Sequence, residues 1–314
     1  MGKKFVCMTT INEPTEAIDR FSKMLGWTLV VAGDRQTPHS KYLNRGNLLY
    51  LTPSYQKKMY NNLSKIVGWN CYSRIMFAVL EAYRLGADII ALVDDDTLPK
   101  DGWGKNLLVG KSNIKMDSWT CRSSLPLPLF DPFYPTDHEY LWYRGFPIQL
   151  VHFREYERKK RRIDFVHIQS DFVDIDLDVD VIARIAFGPK CEISGKVFPF
   201  TTDILTIFGS KNTFIHRSAI KDYFIFPFVG RMGDIWASMH ISALGYNIVY
   251  NRPSAVHRRI TNNMVDDLMD ELLGYYKNIV ISGKMSVSNG KSLYDFLPTE
   301  TLEAFNEYKS AFVC

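Results

Sequence analysis

No apolar run of membrane-spanning length occurs in this 314-residue chain. The N-terminus, Met1-Gly2-Lys3-Lys4, leads directly into a short strand and lacks a signal-like apolar core. Val6 stands where a myristoylation signal needs Ser or Thr. Cysteine is scarce: Cys7, Cys71, Cys121, Cys191 and Cys314 are scattered, odd in number and never spaced CxxC. That argues against a disulfide framework and a zinc site, and for a reducing compartment. There is no GxGxxG after the first strand, no GxxxxGK[ST] and no GxSxG. The common dinucleotide, P-loop and nucleophile-elbow readings therefore fail. A net charge of +4 is too small to imply nucleic acid without a dedicated basic surface. Repeats and low-complexity segments are missing as well. The expectation is a soluble, cytoplasmic protein with no transmembrane segment and no nucleic-acid partner.

What the chain does have is core: 46% hydrophobic and 14% aromatic residues, which excludes disorder. Residues 5–10, 27–32 and 47–51 read as short buried strands. The first two are separated by a helix with Ala17, Ile18, Phe21, Met24 and Leu25 on one face and Gly26 as its stop. A strongly apolar helix over 70–85, closed by Gly86, delivers the chain to a further strand, Ile89 to Val93. This βαβ order predicts an α/β fold with a mostly parallel, doubly wound, Rossmann-like sheet. The middle, punctuated by Leu125-Pro126-Leu127-Pro128, Asp131-Pro132 and Tyr134-Pro135, reads as irregular and aromatic-rich. The basic run Arg158 to Arg162 reads as a solvated loop or helix end. Asp171 to Arg184 alternates Asp with apolar residues but lacks the glycine and closing Glu of a Ca²⁺ loop. From Val197 the α/β pattern returns, and the tail from Met264 reads as helical with a break at Ser286 to Gly290.

One stretch concentrates the chemistry. Five unbroken apolar residues, Ile89 to Val93, end in Asp94-Asp95-Asp96. Ligands in open α/β sheets sit at the carboxyl ends of strands, where these acids emerge. Three adjacent carboxylates repel one another unless a cation compensates them, and hard oxygen ligands suit Mg²⁺ or Mn²⁺ beside a substrate diphosphate. The alternative is a solvated acidic turn. Asp234, approached through Gly230, Arg231 and Gly233, reads as a helix N-cap or as a base facing a cleft. His257, at a strand end, reads as a structural histidine or as a third metal ligand, with Arg258 and Arg259 able to offset diphosphate charge.

Asp94-Asp95-Asp96 after a buried strand resembles the DxD motif of GT-A glycosyltransferases. Further blocks resemble the STELLO family of glycosyltransferases: Val31 to Pro38, Tyr72-Ser73-Arg74, Arg144-Gly145-Phe146-Pro147, Asp178 to Arg184 and Gly233-Asp234-Ile235-Trp236. The reversibly glycosylated polypeptides, which include UDP-arabinopyranose mutases, are similar at the DDD stretch, around Asp234 and from Leu244 to His257. The resemblance runs in order over residues 1 to 260. It implies a GT-A domain over 1–260, with a nucleotide-binding half (1–110) and an acceptor half (111–260), followed by a helical extension over 261–314. It also implies a metal-dependent glycosyltransferase that moves a sugar from a UDP-sugar to a hydroxyl of a glycan or glycoprotein, with inversion. Thr9, Thr10, Asp34, Arg74, Asp94 and Asp95 would hold the nucleotide, Asp96 and His257 would bind Mn²⁺ or Mg²⁺, and Asp234 would be the base. Inverting enzymes of this type often show Glu-Asp where this chain has Gly233-Asp234, which leaves the base open. The other readings are a mutase in which an arginine, Arg144 being nearest, carries the sugar, and a non-catalytic scaffold. On residues alone Arg74 is as well explained by a surface ion pair.

Overall fold

The computed structural model describes residues 2–43, 45–122, 127–259, 263–287 and 291–312. Leu125, Pro126, Cys314 and the 288–290 part of the expected tail break lie outside them. The strands are β1 (Lys3–Thr10), β2 (Thr28–Gly33), β3 (Leu48–Leu51), β4 (Ala87–Val93), β5 (Thr97–Pro99), β6 (Ser112–Cys121) and β7 (Leu129–Phe130). They continue as β8 (Tyr156–Phe165), β9 (Ile168–Asp176), β10 (Lys190–Cys191), β11 (Phe200–Thr202), β12 (Leu205–Thr206), β13 (Asn212–His216) and β14 (Ile248–His257). The helices are α1 (Glu16–Ser22), α2 (Pro53–Met59), α3 (Asn61–Val67), α4 (Ile75–Arg84) and α5 (Val181–Phe187), then α6 (Arg217–Ile220), α7 (Gly233–Ala243), α8 (Met264–Val287) and α9 (Thr299–Ser310).

Among the described residues a twelve-stranded sheet runs β3-β2-β1-β4-β13-β9-β14-β11-β6-β8, with β10 on β9 and β5 on β14. The β3-β2-β1-β4 half is wholly parallel, and antiparallel β13 joins it to β9 and β14, themselves a parallel pair. Along β1 the side chains alternate between two cores, as the period of a strand requires. Phe5 and Cys7 join the core under α4, while Val6 and Met8 join the one under α1. Covered on both faces, the central strands read in sequence as unbroken apolar runs. This is the expected α/β, doubly wound class, with an irregular aromatic-rich middle and a helical tail.

Local differences have local causes. Helix α4 starts at Ile75, because Asn70 takes a positive φ and Tyr72–Arg74 form a 3-10 turn. Leu25 lies beyond the end of α1 and is 95% exposed. The basic run is neither loop nor helix end: it lies in edge strand β8, where Arg158 and Lys160 both pair with Asp117 of β6. Charges on an edge strand discourage pairing with other chains. Strand β14 continues through Pro253 to His257, since a register shift between Asn251 and Ala255 accommodates the proline.

The tail helices belong to the main core, where Ile281, Met285, Phe305 and Tyr308 are buried. Asn278 of α8 accepts from the Trp236 indole (2.7 Å) and donates to the Gly145 carbonyl (2.8 Å). Gly145 has φ +83° and a Cβ there would strike Ile235, so no other residue fits. No helix among the described residues is long and apolar enough to cross a membrane. Asn278→Ala would strand a buried N–H and a buried carbonyl, each costing about 1–3 kcal/mol. It should lower the urea midpoint at unchanged slope. An unchanged midpoint would mean that α8 adds nothing to the stability of the sheet.

Candidate active site

Strand pairing assembles the cluster of acids. Strand β4 ends at Val93, opposite Asn212 of β13, which sets Ser210 and Lys211 beside Asp94. Strand β5 pairs with β14 so that His257 lies opposite Thr97, and the Arg258 N–H donates to the Asp96 carbonyl (3.0 Å). Asp94, Asp96 and His257 thus offer ligand atoms that all lie within 4.8 Å of one another.

The histidine ring is held in one orientation. Its Nδ1 lies 3.0 Å from the Asp176 carbonyl. A carbonyl only accepts, so Nδ1 carries the proton. Burial first, and Lys211 second, lower the imidazole pKa against the pull of Asp96, which favours the neutral ring. Nε2 then turns a lone pair toward Asp96 Oδ1, 3.1 Å away. That oxygen is buried and makes no hydrogen bond of acceptable geometry. Burial and the Asp96 charge push Asp94 up to about 6. Burial would raise Asp96 too, but His257 when protonated, with Lys211 and Arg259, outweighs it and its pKa is lowered. Two carboxylates and a neutral imidazole with an orphaned oxygen between them fit Mn²⁺ or Mg²⁺.

Asp95 faces elsewhere. Its carboxylate accepts from Thr10 and from Asn12 (3.0 Å), tying the DDD turn to the end of β1. Asp34 accepts from the Asn70 N–H (2.7 Å), which fixes the loop ahead of α4. Thr9 donates to the Ala32 carbonyl (2.8 Å). Thr9, Thr10, Asp34, Asp94 and Asp95 line one cleft of about 340 Å³ with Asn12, Asn70 and Tyr72. Arg74 is not brought there. It is fully buried between the rings of Trp69 and Phe77 and donates to Ser64 (3.2 Å), the Gly68 carbonyl (3.0 Å) and Gln56. It supports the loop from beneath, and is neither a phosphate ligand nor a surface ion pair.

A second, adjoining space of about 530 Å³ shares Tyr72, Asp94 and Asp96 and holds His257, Arg259 and Asp234. Asp234 lies in the first turn of α7, which begins at Gly233, and its Oδ1 accepts from the Ile235 N–H of that turn (3.0 Å). Arg144 grips it with two bonds, Nη2 to Oδ2 (2.7 Å) and Nη1 to Oδ1 (3.0 Å), while its Nε donates to Asp178 (2.9 Å). Ser210 Oγ donates to Asp234 Oδ2 (3.2 Å) and lies 3.0 Å from the Tyr72 hydroxyl, which donates to Asp94 (2.6 Å). A polar chain therefore joins Asp94 to Asp234.

Residue-by-residue reading missed Ser210, Lys211 and Phe228. Lys211 is buried 3.2 Å from Asp178 and its ammonium has no hydrogen-bond partner, so burial lowers its pKa. Phe228, half-exposed at the rim with φ +64°, is an exposed aromatic in a backbone region that costs a bulky side chain. Arg231 and Arg259 share the Asp267 carboxylate (2.6 Å each). No motif marks Ser210, Lys211 or Phe228; only the fold brings them to this space.

No family model matches the chain, and no curated protein matches it. Among solved structures, glucosyl-3-phosphoglycerate synthase from Mycobacterium tuberculosis with phosphoglyceric acid gives a TM-score of 0.42 at 11% identity, covering 90% of this chain and 80% of that one. With Mg²⁺ and uridine-diphosphate it gives 0.41 at 11%, and with Mn²⁺, UDP-glucose and phosphoglyceric acid 0.40 at 10%, at the same coverages. At such scores the likeness carries no weight for what this chain does.

His257→Ala should weaken Mn²⁺ binding at least about tenfold, and Asp96→Ala should abolish it, as measured by calorimetry with the metal alone. Equal Mn²⁺ affinity in all three proteins would place any metal elsewhere.

Proposed function

We propose that the chain is a metal-dependent glycosyltransferase that moves a sugar from a UDP-sugar to an acceptor hydroxyl. The observation that carries this reading is the cluster of Asp94, Asp96 and neutral His257 at the junction of the two clefts. The cleft floored by Thr10, Asp34 and Asn70 would take the nucleoside, and the space reaching Asp234 would take the sugar and the acceptor. A bound Mn²⁺ or Mg²⁺ would supply positive charge to the departing diphosphate. Lys211 and Arg259 add charge of the same sign from the protein. Residues of the blocks that resemble STELLO support it: Tyr72 donates to Asp94, and Arg144 bridges Asp178 and Asp234.

Asp234 would take the acceptor's proton with inversion at the sugar. Both its oxygens accept from Arg144, so the carboxylate is fixed in direction. The same contacts weigh against a mutase in which Arg144 carries a sugar. Its guanidinium is buried and engaged by Asp178, Asp234 and the Arg231 carbonyl, and the carboxylates hold its pKa well up against burial.

Incubation with a panel of UDP-sugars and simple glycoside acceptors, with Mn²⁺ or EDTA, tests the function. Metal-dependent transfer is expected; isomerised donor, or no turnover at all, contradicts it. Asp234→Asn should lose about 10²–10⁴-fold in transfer rate. It should also unfold more readily, because Arg144 loses one of its two charged partners, yet still bind UDP with Mn²⁺. Full transfer in that variant would reduce Asp234 to an anchor for Arg144.

A further inference from the structure

Helix α8 has 24 residues and is about 36 Å long. Its inner side is fully accounted for: Asn278, Ile281 and Met285 enter the core, and Asp267 and Glu271 hold Arg231. Its outer side is the anomaly. Val265, Met269, Leu272, Tyr276 and Val280 are all exposed, Tyr276 at 81% and Met269 at 62%. Steps of four, three, four and four residues place them on one stripe, spaced as in the seam of a helix pair. Water-facing helix sides are normally polar, and a contiguous apolar stripe marks an interaction surface.

The charges beside the stripe say what covers it. At 3.6 residues per turn, Asp266, Asp270, Lys277 and Lys284 all fall on the same flank, acids in the first half and, in the second, lysines that lie against the Phe296 carbonyl and ring of their own chain. Two helices packed antiparallel set like flanks against each other. A second copy running the opposite way would then place its Lys284 and Lys277 opposite Asp266 and Asp270, and its Val280 opposite Met269. A parallel pairing would oppose this flank to the one carrying Leu268, Tyr275 and Ile279, which offers no charge. A membrane surface fits poorly, because lipid-bound helices carry basic polar faces and the first half of this one is acidic.

We propose that α8 is the docking face for a second copy of this chain, packed antiparallel about a two-fold axis near its midpoint. The pairing reaches the cleft. The helix that would be clamped is the one whose Asp267 holds both Arg231 and Arg259.

Sedimentation equilibrium of the full chain over micromolar concentrations tests this. The expected mass is twice the 36.3 kDa of one chain. Tyr276→Glu should give monomers with the wild-type circular-dichroism spectrum, since the ring faces solvent in the single chain. The double variants Asp266→Lys/Asp270→Lys and Lys277→Glu/Lys284→Glu should each be monomeric alone and form a one-to-one dimer when mixed. A wild-type monomer at every concentration would overturn the proposal, as would a dimer indifferent to Tyr276→Glu. So would wild-type monomers that co-sediment with phosphatidylserine–phosphatidylcholine vesicles while Tyr276→Glu does not, because the stripe would then belong to a membrane.

Discussion

The structure depends on an electrostatic debt at the end of β4. Asp94 and Asp96 come together with a histidine whose proton is committed to the Asp176 carbonyl, so three electron-rich atoms face one point. In a site of reduced dielectric such a group is costly unless a cation is drawn in. Lys211 and Arg259 meet part of that demand from the protein, and the rest is available to a divalent ion and the diphosphate it would accompany. The turn holds this geometry because Asp95, the middle acid, points away and is bonded to Thr10 and Asn12. Three identical residues in a row therefore face two ways.

A second constraint lies deeper. Arg144 is buried between Asp178 and Asp234, and the backbone that follows it is set by close packing at Gly145 and by the Asn278 bond to the Gly145 carbonyl. Breaking a buried ion pair by removing one partner is far more damaging than never having built it. The direction of the Asp234 carboxylate is thus inherited from the aromatic-rich middle and from α8, segments distant in sequence from the acids at β4. The Tyr72–Ser210 link makes the two centres one connected polar system.

Much of the fold was legible in the sequence, and for a definite reason. A strand covered on both faces carries an unbroken apolar run, and Phe5 to Met8 in β1, Leu29 to Ala32 in β2 and Ile89 to Val93 in β4 are such runs. The acids after β4 and the imidazole of His257 were legible because they stand at strand ends, where an apolar run gives way to a chemical group. Asp34 and Thr10 stand at strand ends too, and both line the cleft. Arg74 was not, because its side chain could point to either side of its turn, and the rings of Trp69 and Phe77 decide that inward. The basic run in β8 misled because edge strands tolerate charge that interior strands do not. Ser210 and Lys211 carried no signal at all: only the antiparallel pairing of β13 with β4 sets them beside Asp94.

The central claim is that the nucleotide and the metal are held together by this one cluster. Calorimetric titration of the wild-type chain with UDP, once in Mn²⁺ and once in EDTA, tests it most directly. Repulsion between the diphosphate and the carboxylates of Asp94 and Asp96 predicts that EDTA weakens binding by at least about tenfold, or about 1.4 kcal/mol. Equal UDP affinity in Mn²⁺ and in EDTA would contradict the account.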